Sequence, residues 1–136
     1  MDWAVIPKNI YFLLGGLGLT FQLAAIAMVG GLLVGIIMGL ARTSSIRWIY
    51  WPATLYVNFF RSLPLILVIF WFYFVIPFIL GRPLGDFLSA IIAFIIFESS
   101  YFAEIVRAGI GSIRKEQVFA GYSTGLNYYK TMRHIV

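Results

Sequence analysis

A chain of 136 residues would ordinarily be one soluble domain, but 62% hydrophobic and only 11% charged residues exclude that class, because soluble domains carry about 25% charged residues. The absence of cysteine excludes a disulfide framework and a thiolate metal site. The net charge of +5 does not indicate a nucleic-acid partner, since the basic residues lie between apolar segments, a distribution that reports membrane topology.

Residues 1–8 are short and mixed, with Asp2, Pro7 and Lys8. They do not open a signal peptide, because the charge-free run Ile10–Ala41 far exceeds the roughly 7–15 residues of a signal core. That run is long enough to cross a bilayer, which takes about 20 apolar residues, and Gln22 is its one strongly polar side chain. Ala27, Gly31, Gly35 and Gly39 recur every four residues and form one ridge of a helix. In lipid, small residues at that spacing let another backbone approach closely, so a packing face is expected. Simple tolerance of glycine at a bend is the alternative. The polar break RTSSIR at 42–47 follows, and then Trp48, Tyr50 and Trp51, as an aromatic belt at headgroup level would.

The second apolar segment, 53–80, is interrupted by Asn58, Arg61, Pro64 and Pro77. Proline disfavours helix at the residue before it and removes a backbone donor, so the helix is expected to kink or start afresh near Leu63-Pro64. Arg61 is either a residue snorkelling at the membrane edge or a fixed positive charge beside a translocation route, and position leaves both open. The Gly, Pro and charges of GRPLGD at 81–86 form a turn outside the bilayer. The third segment, 87–108, carries Glu98 near its middle. A carboxylate at bilayer depth costs a few kcal/mol, so it should face protein or water. Glu98 is either a site residue or a neutral structural carboxyl. Glu104 lies three residues before Arg107, and a helix-surface ion pair accounts for it. About 100° per residue puts Glu98 and Glu104 on different faces.

The polar end reads RAGIGSIRKEQVFAGYSTGLNYYKTMRHIV over 107–136. A short helix is expected over 116–126, with Gly125 near its C-terminal end as a left-handed stop. Arg114, Lys115 and Glu116 flank it on one side, and Lys130, Arg133 and His134 on the other. The single histidine, His134, cannot make a metal site or a nucleophilic triad, and no phosphate-cradling glycine loop with its lysine is present. With the amino terminus outside, eight basic residues fall on or near the cytoplasmic side, while only Lys8 and Arg82 fall outside. A buried charge, packing glycines and a cytoplasmic loop suggest transport, with energy from ATP entering through another subunit.

The polar end resembles the cytoplasmic signature of ABC-transporter permeases: Glu-Ala-Ala, three residues, Gly, nine residues, Ile, one residue, Leu-Pro. Phe119-Ala120-Gly121 occupies the triplet, Gly125 the glycine and Ile135 the isoleucine; Phe119 replaces the glutamate, for which Glu116 is a partial substitute. Gly18-Leu19-Thr20-Phe21-Gln22, the stretch from Tyr56 through Arg61-Ser62-Leu63-Pro64, and Phe97-Glu98-Ser99-Ser100-Tyr101 through Ile110 are similar to helix motifs of the polar amino-acid permeases of the histidine/glutamine type. The wording around Arg61 and Trp71-Phe72-Tyr73, with Glu98 where many members have asparagine, most resembles glutamate/aspartate permeases. Arg61 would attract an acidic side chain and Glu98 the ammonium group, but the same Glu98 would also suit a cationic amino acid, so charge leaves both open. The resemblance implies an all-α membrane protein. It has three spans, roughly 13–41, 55–80 and 87–108, of about five in the full family fold, with a short coupling helix in a cytoplasmic loop over 109–130. The signature breaks off at Val136, so a single permease domain represented by its amino-terminal portion is expected.

The resemblance further implies a multi-pass subunit of the bacterial inner membrane. It would pair with a second permease subunit, take a polar amino acid (acidic in the first instance) from an external binding protein, and dock a cytoplasmic ATPase dimer that holds ATP and Mg. Asn58, Arg61, Ser62, Glu98, Ser99 and Tyr101 would line the substrate pathway. Glu116, Phe119, Ala120, Gly121, Gly125 and Ile135 would couple to the ATPase. The chain itself would bind no cofactor and catalyse no reaction. Two rivals stay open: a truncated, non-transporting membrane scaffold, and a small proton-coupled transporter using Glu98.

Overall fold

The computed structural model describes residues 5–135, with side chains from residue 7 onward; Asp2 and Val136 lie outside the described residues. All regular structure among them is helical, in the order α1 (Val5–Lys8), α2 (Ile10–Ala41), α3 (Arg47–Ser62), α4 (Leu65–Phe70), a π-helical turn (Trp71–Val75), α5 (Ile76–Leu80), α6 (Asp86–Gly111), α7 (Lys115–Ser123) and α8 (Tyr128–His134). Helices α2 and α6 are each long and apolar enough to cross a membrane. At 1.5 Å per residue they measure about 48 and 39 Å, beyond the roughly 30 Å of hydrocarbon. The stretch from α3 to α5 gives a third crossing if the bent pair is counted as one span.

That bend is 107° and falls at Leu63-Pro64. Leu63 is extended (φ −100°, ψ 146°), the conformation that the ring of a following proline imposes, and Pro64 then caps α4. The π-helical turn stands directly before Pro77, which has no N–H to offer the Tyr73 carbonyl and whose ring needs room there; the wider turn supplies that room.

The framework of the molecule is the contact between α2 and α6. Ala27, Gly31, Gly35 and Gly39 are the buried residues of α2. A Cβ on Gly31 would stand 2.9 Å from Cβ of Glu98, and one on Gly39 would stand 2.7 Å from Cβ of Val106. At Gly35 it would meet Cβ of Phe102, with the Ser99 carbonyl at 3.0 Å and the Ala103 amide nitrogen at 3.2 Å. Both helices advance four residues between successive contacts, so they run parallel. Dispersion between close backbones holds such a pair together in lipid. Helix α3 crosses α6 with Ala53 and Val57 buried and with Trp48 90% exposed on its outer face. The Tyr56 hydroxyl pins this crossing by donating to the Ile96 carbonyl at 3.0 Å and lying 2.7 Å from Ser99 Oγ.

Candidate functional site

Three groups of side chains stand out. The first gathers on Glu104. Its Oε2 accepts from the Arg42 guanidinium and pairs with Arg61 at 3.3 Å; its Oε1 accepts from Arg107 Nε at 3.2 Å and from Arg107 Nη2. The pair with Arg107 expected from the i, i+3 spacing is present. The arms from α2 and α3 were not foreseeable from that spacing, because Arg42 is 62 positions away. Arg42 follows the first apolar run and Arg61 interrupts the second, and nothing in that placement names their partner. The Arg61 guanidinium also lies 5.6 Å from the Tyr101 ring centroid, within cation–π range.

The second group surrounds Glu98. This carboxylate lines a cavity of 450 Å³ between α2 and α6, together with Thr20, Leu23, Ala27, Phe94 and Phe102. It is half-buried and has no hydrogen-bond or ionic partner among the described residues. Glu98 and Glu104 therefore face different neighbours, as a separation of six helical residues requires. Of the other residues read as pathway, Asn58 and Ser62 line a cavity of 330 Å³ on the outer side of α3 with Thr54 and Phe59. Ser99 is fully buried under Tyr56 and donates to the Ile96 carbonyl at 2.8 Å. These six residues thus stand in four places: Glu98 in its cavity, Ser99 under Tyr56, Asn58 and Ser62 along α3, and Arg61 with Tyr101.

The third group is the α7–α8 pair. Helix α7 stops at Ser123, earlier than the expected 126. Gly125 takes φ 82° as its left-handed stop, and two reversed bonds close the end, Leu126 N to the Gly121 carbonyl at 3.1 Å and Gly125 N to the Tyr122 carbonyl at 3.0 Å. Helix α8 replaces what reads from the sequence as loop and tail. The Asn127 side chain caps it, accepting from the Lys130 amide at 2.9 Å. Gly121 and Ile135 meet where the two helices touch, with Thr131 buried beside them. Glu116, Phe119 and Ala120 stay exposed on α7. Among the described residues no group of three or more His, Asp or Glu is placed to hold a metal ion.

Comparison with known proteins places the chain in one family. Residues 31–136 match the family described as "binding-protein-dependent transport system inner membrane component". The chain is 38% identical over 142 residues to the glutamate/aspartate import permease protein GltK of Escherichia coli O6:H1, covering 99% of this chain and 63% of the relative. It is 33% identical over 136 residues to the arginine transport system permease protein ArtQ of Bacillus subtilis, covering 100% and 62%. A solved structure titled as an amino acid ABC transporter with histidines superposes with a TM-score of 0.91 at 29% identity, over 100% of this chain and 63% of that one. The chain thus spans somewhat under two thirds of the length of these relatives. On the matched residues 31–136, the chain belongs to the binding-protein-dependent transport system inner membrane components, the permeases of amino-acid ABC transporters among them.

Proposed function

We propose that the chain acts as a permease subunit of an ATP-driven importer of polar amino acids, with glutamate and aspartate as its substrates. A second permease subunit, an external binding protein and a cytoplasmic ATPase dimer holding ATP and Mg complete the machine; this chain contributes the path and the docking surface and hydrolyses nothing. The observation that carries the reading is the turn at Gly125, a left-handed residue at the glycine position of the family signature, which ends α7 and leaves Glu116, Phe119 and Ala120 exposed for a partner. Gly121 and Ile135 hold α7 and α8 together behind that surface. Glu98, unpartnered in its cavity, is suited to the ammonium group of the substrate, and Arg61 to an acidic side chain. The 38% identity to a glutamate/aspartate permease supports the acidic class.

The test is ATP-dependent uptake of labelled glutamate by the complete importer in vesicles. Wild type should import glutamate in preference to arginine. Gly125→Asp should abolish uptake while leaving the external binding protein able to dock; unchanged uptake would remove the coupling role. Uptake that needs no ATP and follows a proton gradient would instead favour the second reading, in which the unpartnered Glu98 carries protons.

A further inference from the structure

Three guanidiniums face one carboxylate at Glu104, so this cluster carries two uncompensated positive charges. The three arms are not equivalent. The Arg42 side chain is only 9% exposed and is hydrogen-bonded to Oε2. Arg107 holds Oε1 through two nitrogens. Arg61 reaches Oε2 with one nitrogen at 3.3 Å, longer than the usual 2.7–2.9 Å or so of a charge-assisted bond, on an oxygen that Arg42 already occupies. It makes this contact as an ion pair without hydrogen-bond alignment, and its side chain is 38% exposed. The Tyr101 ring supports the guanidinium from the side, a contact that does not use up its N–H donors.

Arg107 is as exposed as Arg61, at 41% against 38%, so hydrogen bonding and not exposure separates them: Arg42 and Arg107 keep Glu104 in place, while Arg61 is the loosely held arm. We propose that Glu104 is an internal carboxylate that occupies Arg61 until the carboxylate of an acidic amino acid displaces it. Arg61 is then a substrate-binding residue held in reserve, and Glu104 is the positioning residue that sets how readily it is released. The exchange costs little charge separation, because one carboxylate replaces another on the same guanidinium, and Glu104 retains two arginines when it lets go. An entering carboxylate gains what Glu104 lacks at Arg61, a two-pronged, aligned contact. The inference rests on the acidic-substrate reading given above.

Arg61→Gln and Glu104→Gln break the same ion pair, and this makes the proposal decidable. If the pair only ties helices together, both substitutions must act in the same direction. If Glu104 competes with the substrate, they must act in opposite directions. The measurement is equilibrium binding of labelled glutamate to the purified, nucleotide-free permease–ATPase complex without the external binding protein. Arg61→Gln should weaken binding by about tenfold or more, the value of one charge-assisted contact. Glu104→Gln should tighten it by about threefold or more, and Glu104→Asp should return it toward wild type. Should Glu104→Gln fail to assemble, Glu104→Asp decides: its shortened side chain keeps the charge but holds Arg61 less well, so it should bind glutamate more tightly than wild type, and equal or weaker binding overturns the exchange. Equal affinities, or shifts of the same sign, overturn the exchange. ATP-driven uptake measured on the same preparation separates the two ideas. If glutamate is imported but the shifts are not opposed, the exchange alone falls; if no glutamate is imported, the acidic-substrate reading falls and the exchange with it.

Discussion

At the scale of single residues, the deciding property is how near a neighbouring backbone stands. A side chain on Gly35 would press on Cβ of Phe102 and on two backbone atoms of α6, the Ser99 carbonyl and the Ala103 nitrogen, none of which can swing aside. Gly30 differs, since its nearest neighbour is the flexible tip of Ile95 at 2.7 Å. Gly18 has nothing within 4 Å. Gly35→Leu is therefore expected to destabilise the α2–α6 pair by the 1–3 kcal/mol or so of an overpacked site, or to separate the helices. Gly18→Leu should leave stability near wild type. Thermal unfolding in detergent reads both, and equal midpoints for the two variants would contradict the parallel packing. The four-residue spacing of Ala27, Gly31, Gly35 and Gly39 could be read from the sequence because periodicity survives without a partner. What the ridge packs against could not, since Glu98, Phe102 and Val106 lie some 67 positions away. Glu104 illustrates the same limit: its local partner Arg107 was legible and its distant partners Arg42 and Arg61 were not.

At the scale of elements, backbone chemistry sets the boundaries, and these were the more legible features. Leu63-Pro64 announced a break because the constraint is local, although no local rule gives the 107° angle, which depends on how α3 crosses α6. The π-helical turn before Pro77 is not legible in the sequence because a proline in a helix can be accommodated by a kink, a break or a widened turn. Helix α8 is not legible either, because only seven residues form it. Isolated helices of that length are marginal, so its stability must come from the Asn127 cap and from packing on Gly121. That dependence gives a prediction. Gly125→Ala forces φ 82° on a residue with a Cβ, which costs about 1–2 kcal/mol, whereas Gly125→Asn should cost less because asparagine tolerates this region. Hydrogen exchange at the Leu126 amide, which bonds the Gly121 carbonyl at 3.1 Å, should accelerate by roughly tenfold in the alanine variant and by less in the asparagine variant. Indifference of that amide to both substitutions would show that the turn does not depend on glycine.

For the whole molecule, the parallel course of α2 and α6 has a topological consequence. Both helices run the same way, so residues 42–46 and 112–114 follow the same ends of their respective helices, and the segment between them must carry the chain back to where α6 begins. Helix α3 starts beside the end of α6 and the turn at 81–85 adjoins its start, where the Tyr73 hydroxyl donates to Asp86 Oδ1 at 3.1 Å. We therefore propose that the bent stretch from Arg47 to Leu80 makes a net crossing despite its 107° angle. Arg42, Arg47, Arg107 and Arg114 gather at one end, against Arg82 at the other, and we propose from the positive-inside bias that the crowded end is cytoplasmic. These 136 residues contain no cysteine, so a thiol introduced among them is the single one in this stretch and can be labelled there. Thr43→Cys and Ser112→Cys should react with a membrane-impermeant maleimide only in inside-out vesicles, and Pro83→Cys only in intact cells or right-side-out vesicles. Labelling of 43 and 112 from opposite faces would break the parallel pairing of α2 and α6. Labelling of 43 and 83 from the same face would make the bent stretch a re-entrant loop, and α6 could then no longer run alongside α2 across the same bilayer.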